Sequence, residues 1–348
     1  MPGKKLRPFI HPVTGAIIPP ELAGVIAPMF TPVDRQGRVD LKALRAYAEY
    51  LAANEAISTL FIRSGVGGMF TFQEEEIEPV VELIAEVAKA NEKPFLVGCP
   101  GTWSEWPGVI RDADRFRQES LRFGEAALAR GAYAAVYPFP YGLLDPEQGG
   151  ADAQAVYLRY FDWVAGRLSG RIVLYHVPQL RPEQWVTPAS LAELMERHAN
   201  IVGMKVSHGD VSHHLDLMAV IDETNFAYIC GNELVFLPLL LMGACGLIGE
   251  GCNAIPEVYR GIIRAFFAGA LADAREGQFV ANEAFRVGQE LCRDATGQAA
   301  IAPDSIGLGY LSQQGVYPFG PRLRSGGTWP SKATLEALAQ AWDQLRGA

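Results

Sequence analysis

Chemistry at a carbonyl carbon needs an amine that can be held neutral, and this 348-residue chain offers few. Its lysines are Lys4, Lys5, Lys42, Lys89, Lys93, Lys205 and Lys332, the minority among 30 Lys+Arg. Six of them fall in the N-terminal arm, on segments of helical period or near helix ends, where an ammonium stays solvated. Lys205 instead closes the apolar run Ile201-Val202-Gly203-Met204, which puts it at the C-terminal end of a buried strand. A buried ammonium is costly unless paired or neutralised. Desolvation favours the neutral amine, the form that attacks a carbonyl. The plainer alternative is a lysine that snorkels outward or pairs with a carboxylate.

Tyr175 ends the run Ile172-Val173-Leu174 one strand earlier. Neighbouring parallel strands lie about 4.8 Å apart, so its phenol can approach the amine and shuttle the protons that Schiff-base formation moves. Strand alternation points His176 to the opposite face, as a structural residue. The segment Ser207-His208-Gly209-Asp210-Val211-Ser212-His213-His214 fits no zinc spacing. It reads as a loop capped into the next helix by Asp210 or Ser212. No metal and no cofactor are expected. Ser64-Gly65-Val66-Gly67-Gly68 follows another strand. Its backbone N–H groups can cradle a carboxylate, with a tight βα turn as the simpler account. No P-loop lysine is present, so nucleotide binding is not expected.

Apolar, β-branched runs alternate with segments of helical period along most of the chain. Strands are expected at residues 24–30, 58–63, 95–99, 133–137, 171–177, 201–206, 226–230 and 245–249. Helices are expected at 41–53, 74–90, 111–130, 156–168, 188–198, 213–223 and 234–242. Near-continuous apolar strands suit a parallel sheet covered on both faces. Eight of them in βα alternation give an α/β fold, a (β/α)8 TIM barrel. The rival doubly wound sheet normally carries a Gly-rich turn after its first strand, and Met29-Phe30-Thr31-Pro32 is not one.

An extended arm is expected over 1–22, the barrel over 23–270 and a small helical C-terminal extension over 271–348, with helices at 257–268, 270–290 and 332–345. Two long loops, 101–108 with Trp103 and Trp106 and 139–153 with Phe139, Tyr141 and Gly149-Gly150, fall on the face where barrel enzymes place their sites. A net charge of −9 disfavours a nucleic-acid groove. No apolar run reaches the roughly 18 residues of a membrane span. The basic start is followed by prolines rather than an apolar core, so no secretory signal is read. A cytoplasmic protein follows, with Cys99, Cys230, Cys245, Cys252 and Cys292 as free thiols.

With these residues in view, the chain resembles the dihydrodipicolinate synthase/N-acetylneuraminate lyase family of class I aldolases and dehydratases. The likeness runs over residues 22–278, in one order along one barrel. It is carried by Gly24-Val25-Ile26-Ala27-Pro28-Met29-Phe30-Thr31-Pro32, Tyr175-His176-Val177-Pro178, Gly203-Met204-Lys205-Val206-Ser207-His208-Gly209-Asp210, Cys230-Gly231-Asn232-Glu233 and Gly246-Leu247-Ile248-Gly249-Glu250-Gly251-Cys252-Asn253. The resemblance implies a Schiff-base Lys205, a proton-relay Tyr175, a site position at Ile248 and a homo-oligomer, tetramer or dimer.

Three departures stand out. The family's Gly-Thr-Thr-Gly-Glu loop is replaced by Ser64, Gly65, Val66, Gly67 and Gly68, which lack both threonine hydroxyls. Gly65 and Val66 would bind a carboxylate through their amides, with Ser64 as a neighbouring hydroxyl. The family's second tyrosine falls near Phe139 and Pro140, with Tyr141 just beyond. Its carboxylate-reading arginine falls at Leu180, with Arg181 one residue later. The implied activity is a lyase or aldolase acting on a pyruvate-type 2-oxo acid and an aldehyde, not a typical dihydrodipicolinate synthase. A dehydratase of a sugar-derived 2-oxo acid and a ligand-binding barrel without catalysis are the alternatives.

Overall fold

Eight short strands, buried along almost their whole length, run parallel and close on themselves in sequence order. They are β1 (Gly24–Pro28), β2 (Thr59–Ile62), β3 (Phe95–Gly98), β4 (Ala134–Pro138), β5 (Ile172–His176), β6 (Ile201–Val206), β7 (Ala227–Cys230) and β8 (Gly246–Leu247). The computed structural model describes residues 8–103, 110–144, 153–222, 224–291 and 303–347. Trp106, Gly149, Gly150 and Cys292 lie outside the described residues, as does the basic start.

The ring closes where Gly246 pairs with Gly24. A Cβ at Gly246 would stand 2.8 Å from the Gly24 carbonyl oxygen, and Gly24 has φ +81°. Only glycines let the two strands approach at that seam. Around the barrel run α1 (Leu41–Ala53), α2 (Glu74–Ala90), α3 (Ala113–Ala129), α4 (Ala153–Ala165), α5 (Pro188–Arg197), α6 (Val211–Ile221), α7 (Phe236–Met242) and α8 (Pro256–Phe267). The side chains of Asp40, Asp112, Thr187 and Asp210 accept the first free amides of α1, α3, α5 and α6. Such caps satisfy groups that a helix leaves open at its start. The cap expected at Asp210 or Ser212 is therefore Asp210.

β5 and β6 carry one irregularity that matters for the site. Ile172 pairs with Ile201 but Val173 pairs with Gly203, so Val202 is an extra residue on β6. The slip sets Tyr175 beside Lys205. Without it Tyr175 would pair with Met204, and Lys205 would share a face with His176, because a one-residue shift exchanges the two faces of a strand.

The ends depart from the sequence expectation. The arm is not simply extended: Phe9–Ile10 and Ile17–Ile18 form a small antiparallel hairpin, followed by a 3-10 turn at Pro20–Leu22. Beyond α8 come α9 (Leu271–Leu291), α10 (Pro303–Gln313) and α11 (Lys332–Gly347). α10 was not foreseen, since its Ser, Gly and Tyr leave a weak helical stripe. It packs against the barrel through Gly307, whose missing side chain admits the Phe30 ring. No helix among the described residues is long and apolar enough to cross a membrane. Cys99, Cys230, Cys245 and Cys252 are free and buried.

Candidate active site

Lys205 lies on β6, 3% exposed, with Nζ 4.4 Å from the centroid of the Tyr175 ring. Its aliphatic stem fits because the neighbouring residue after β7 is Gly231, where a Cβ would stand 2.8 Å from Lys205 Cε. The ammonium is not alone in the barrel. Glu233, buried at the start of a 3-10 turn, has a carboxylate oxygen that accepts the Gly251 amide at 2.7 Å. Burial pushes its carboxyl above the usual range, while the Gly251 bond and the Lys205 charge oppose that shift. Glu233 was not singled out from the sequence. An acid inside an otherwise apolar stretch just after a strand was the available signal.

Tyr175 is also 3% exposed, and its hydroxyl hangs over the loop after β2. A Cβ added at Gly65 would stand 2.5 Å from Tyr175 Oη. The glycine therefore makes room for the phenol, and a threonine at 65 would displace it. Among the described residues, the Gly65 and Val66 amides donate to no other group. Ser64 does not offer a free hydroxyl: its Oγ donates to the Met29 carbonyl at 2.9 Å and accepts the Gly67 amide at 3.0 Å. With Thr31 Oγ1 donating to the Gly67 carbonyl at 2.6 Å, Ser64 shapes the loop rather than its contents.

One side of the mouth is aromatic. Tyr141, in the 3-10 turn Tyr141–Leu143, lies 5.1 Å from Trp103 and 6.2 Å from Phe70, ring centre to ring centre, and Phe70 lies 5.4 Å from Trp103. Burial and the neighbouring Tyr175 phenol raise the Tyr141 hydroxyl above its ordinary pKa. The start of the Trp103 loop is held by Glu119, which accepts the Thr102 amide at 2.8 Å and its hydroxyl at 2.5 Å. Phe139 is not part of this wall. It turns outward onto Tyr157 and Phe161. Phe70 belongs to the wall and was overlooked, being six residues past Ser64.

The remaining expected positions divide. Ile248, 1% exposed, extends the β8 pairing by donating its amide to the Cys230 carbonyl at 2.8 Å. Leu180 is buried, whereas Arg181 is 62% exposed, with Nε on Glu183 at 2.9 Å. No contact among the described residues joins Arg181 to Lys205 or Tyr175. The structure thus assembles Lys205, Tyr175, Gly65 and Tyr141, and leaves Arg181 outside.

A closed parallel barrel with its loops gathered over the C-terminal strand ends places the chain among the barrel proteins whose sites open on that face. The family model of the dihydrodipicolinate synthetase family matches residues 21–103 and 115–287, and the chain belongs to that family. The 4-hydroxy-tetrahydrodipicolinate synthase of Natronomonas pharaonis is 27% identical over 265 residues, 76% of this chain and 81% of that protein. The probable 2-dehydro-3-deoxy-D-pentonate aldolase YjhH of Escherichia coli is 27% identical over 256 residues, 73% and 77% of the two chains. Among solved structures, CdNal from Clostridium difficile in complex with mannosamine superposes with a TM-score of 0.75 at 17% identity, over 93% of this chain and 99% of that one. YagE of Escherichia coli in complex with pyruvate gives 0.71 at 20% identity, over 93% and 98%.

Proposed function

We propose that this chain is a class I lyase in which Lys205 forms a Schiff base with a pyruvate-type 2-oxo acid, and the adjoining carbon–carbon bond is made or broken. The observation that carries this reading is the buried Tyr175–Lys205 pair, with Tyr175 Oη above the open Gly65 and Val66 amides. The neutral amine attacks the ketone carbon of the substrate. Tyr175 hands a proton to the departing oxygen, water leaves, and an iminium forms on Nζ. The iminium draws the electron pair of the breaking bond into an enamine and releases an aldehyde. Protonation and hydrolysis then free the 2-oxo acid and the lysine. The substrate carboxylate sits on the two amides, which are suited to an anion, and the aldehyde portion meets Phe70, Trp103 and Tyr141.

The relatives' names span a synthase and a pentonate aldolase, and the site favours the aldolase side. A second carboxylate needs a basic reader, but Leu180 occupies that position and Arg181 is engaged with Glu183 on the surface. Little condensation of pyruvate with aspartate semialdehyde is therefore expected.

Borohydride added with pyruvate should attach a reduced pyruvyl group to the peptide containing Lys205. Labelling of another lysine, with Lys205→Ala still trapped, would remove the proposal. Product analysis then separates aldol cleavage, which yields an aldehyde, from dehydration, which keeps the carbon skeleton.

A further inference from the structure

Behind Tyr175, on the outer face of the barrel, three histidines from a strand, a loop and a helix meet. His176 is the last residue of β5, His208 lies just beyond β6, and His213 stands in the first turn of α6. One ring nitrogen from each lies within 4.8 Å of the other two. His176 is fully buried and both its ring nitrogens lack a hydrogen-bond partner. Packing alone leaves such nitrogens unexplained, because buried polar groups are otherwise satisfied.

We propose that His176, His208 and His213 form a three-imidazole site for a divalent transition-metal ion of the zinc class, strapping together the C-terminal ends of β5 and β6. The surroundings are those of a ligand set. His213 Nε2 donates to the Val186 carbonyl at 2.9 Å, which leaves Nδ1 with its lone pair toward the cluster. A second hydrogen bond of this kind is how metal-binding imidazoles are usually oriented. Trp185 stacks on the His208 ring at 4.2 Å and 10°. His214 holds the His208 carbonyl through Nε2 at 3.0 Å, and its Nδ1 accepts the Tyr228 hydroxyl at 2.7 Å, so both its nitrogens are committed elsewhere. His208 and His213 are half-buried, which leaves the ion a route from solvent.

Binding rearranges two hydrogen bonds. His208 Nε2 now donates to His213 Nδ1 at 2.9 Å, and the Asp210 amide donates to His208 Nδ1 at 3.2 Å. The ion takes both facing nitrogens, and the His208 proton moves to Nδ1, opening the longer contact. Metal–nitrogen bonds of about 2.0–2.1 Å need the three rings to draw inward from their present spacing. Sequence spacing gave no hint of this, because His176 belongs to a different strand from the His208–His214 segment.

The test uses the full chain after dialysis against a chelator. Calorimetric titration with Zn2+ should show one ion bound per chain, and Co2+ should produce the visible absorption of nitrogen ligation. His208→Gln and His213→Ala should each weaken binding by about 100-fold or more, beyond the usual cost of losing an outer partner. Both substitutions lie at half-buried positions, and circular dichroism reports whether the fold survives. The rise in Tm that Zn2+ gives the unaltered chain supplies a readout independent of the variants. Absence of saturable binding to the unaltered chain overturns the proposal, as does unchanged affinity in a folded His208→Gln or His213→Ala protein.

Discussion

Tyr175 is held by contacts that do not involve its hydroxyl: the ring lies against Lys205 Nζ, and β5 fixes its backbone. Replacing it with Phe keeps those contacts and deletes only the proton carrier. Turnover should fall by about 10²–10⁴-fold, the usual worth of a positioned acid–base group, with the circular dichroism spectrum unchanged. Equal kcat in the two proteins would leave Tyr175 a packing residue. The neighbouring Gly65 shows why its own chemistry was hard to read. From the sequence it is a lost threonine; in the fold it is the space into which the phenol projects.

The loop that carries Gly65 and Val66 is anchored by an element far away in sequence. Arg324, between α10 and α11, donates Nη1 and Nη2 to the two oxygens of Glu76 at 3.0 and 2.7 Å. Its Nε and Nη2 also donate to Thr71 Oγ1 and the Thr71 carbonyl at 3.0 and 2.6 Å. The ion pair is nearly enclosed, with side chains 6% and 12% exposed, and Arg324 stacks on Phe72. Removing one partner of a buried pair typically costs about 3–5 kcal/mol, because the other charge is stranded. Arg324→Met should lower the urea midpoint accordingly and raise KM for the 2-oxo acid, since residues 68–73 lose their tie to the C-terminal helices. A midpoint equal to that of the unaltered chain would show the pair to be dispensable.

Across the whole molecule, the junction between the barrel and its C-terminal helices stores acidity. Glu250 faces Phe30, Tyr259 and Ile306 there, beside Glu233. Burial, then the Glu233 and Asp304 carboxylates, holds the Glu250 carboxyl above its ordinary value of 4.5. A carboxyl whose folded pKa is raised binds its proton more tightly in the folded chain. Its contribution is complete below the unfolded value and is lost as pH rises through the folded one. Glu250→Gln should therefore raise Tm over the unaltered chain at about pH 8.5, with little difference at about pH 5. Thermal melts that stay parallel at both values would contradict this assignment.

Local pattern was enough for the barrel, because near-continuous apolar runs and 3.6-residue stripes are written in neighbouring residues. The eight strands and the helices from α1 to α9 fall within a few residues of their expected places. Lys205 and Tyr175 were legible for the same reason: a polar group ending an apolar run announces a strand end. Three things were not local. The Val202 bulge, which turns Lys205 toward Tyr175, is a pairing shift between strands 25 and more residues apart. The outward position of Arg181 is set by the path of the chain after the barrel strand β5 closes into place, not by its short-range pair with Glu183 on the surface. The meeting of His176 with His208 and His213 depends on packing between a strand and a later helix. Each is settled by distance in space, which sequence spacing does not encode until the barrel has closed.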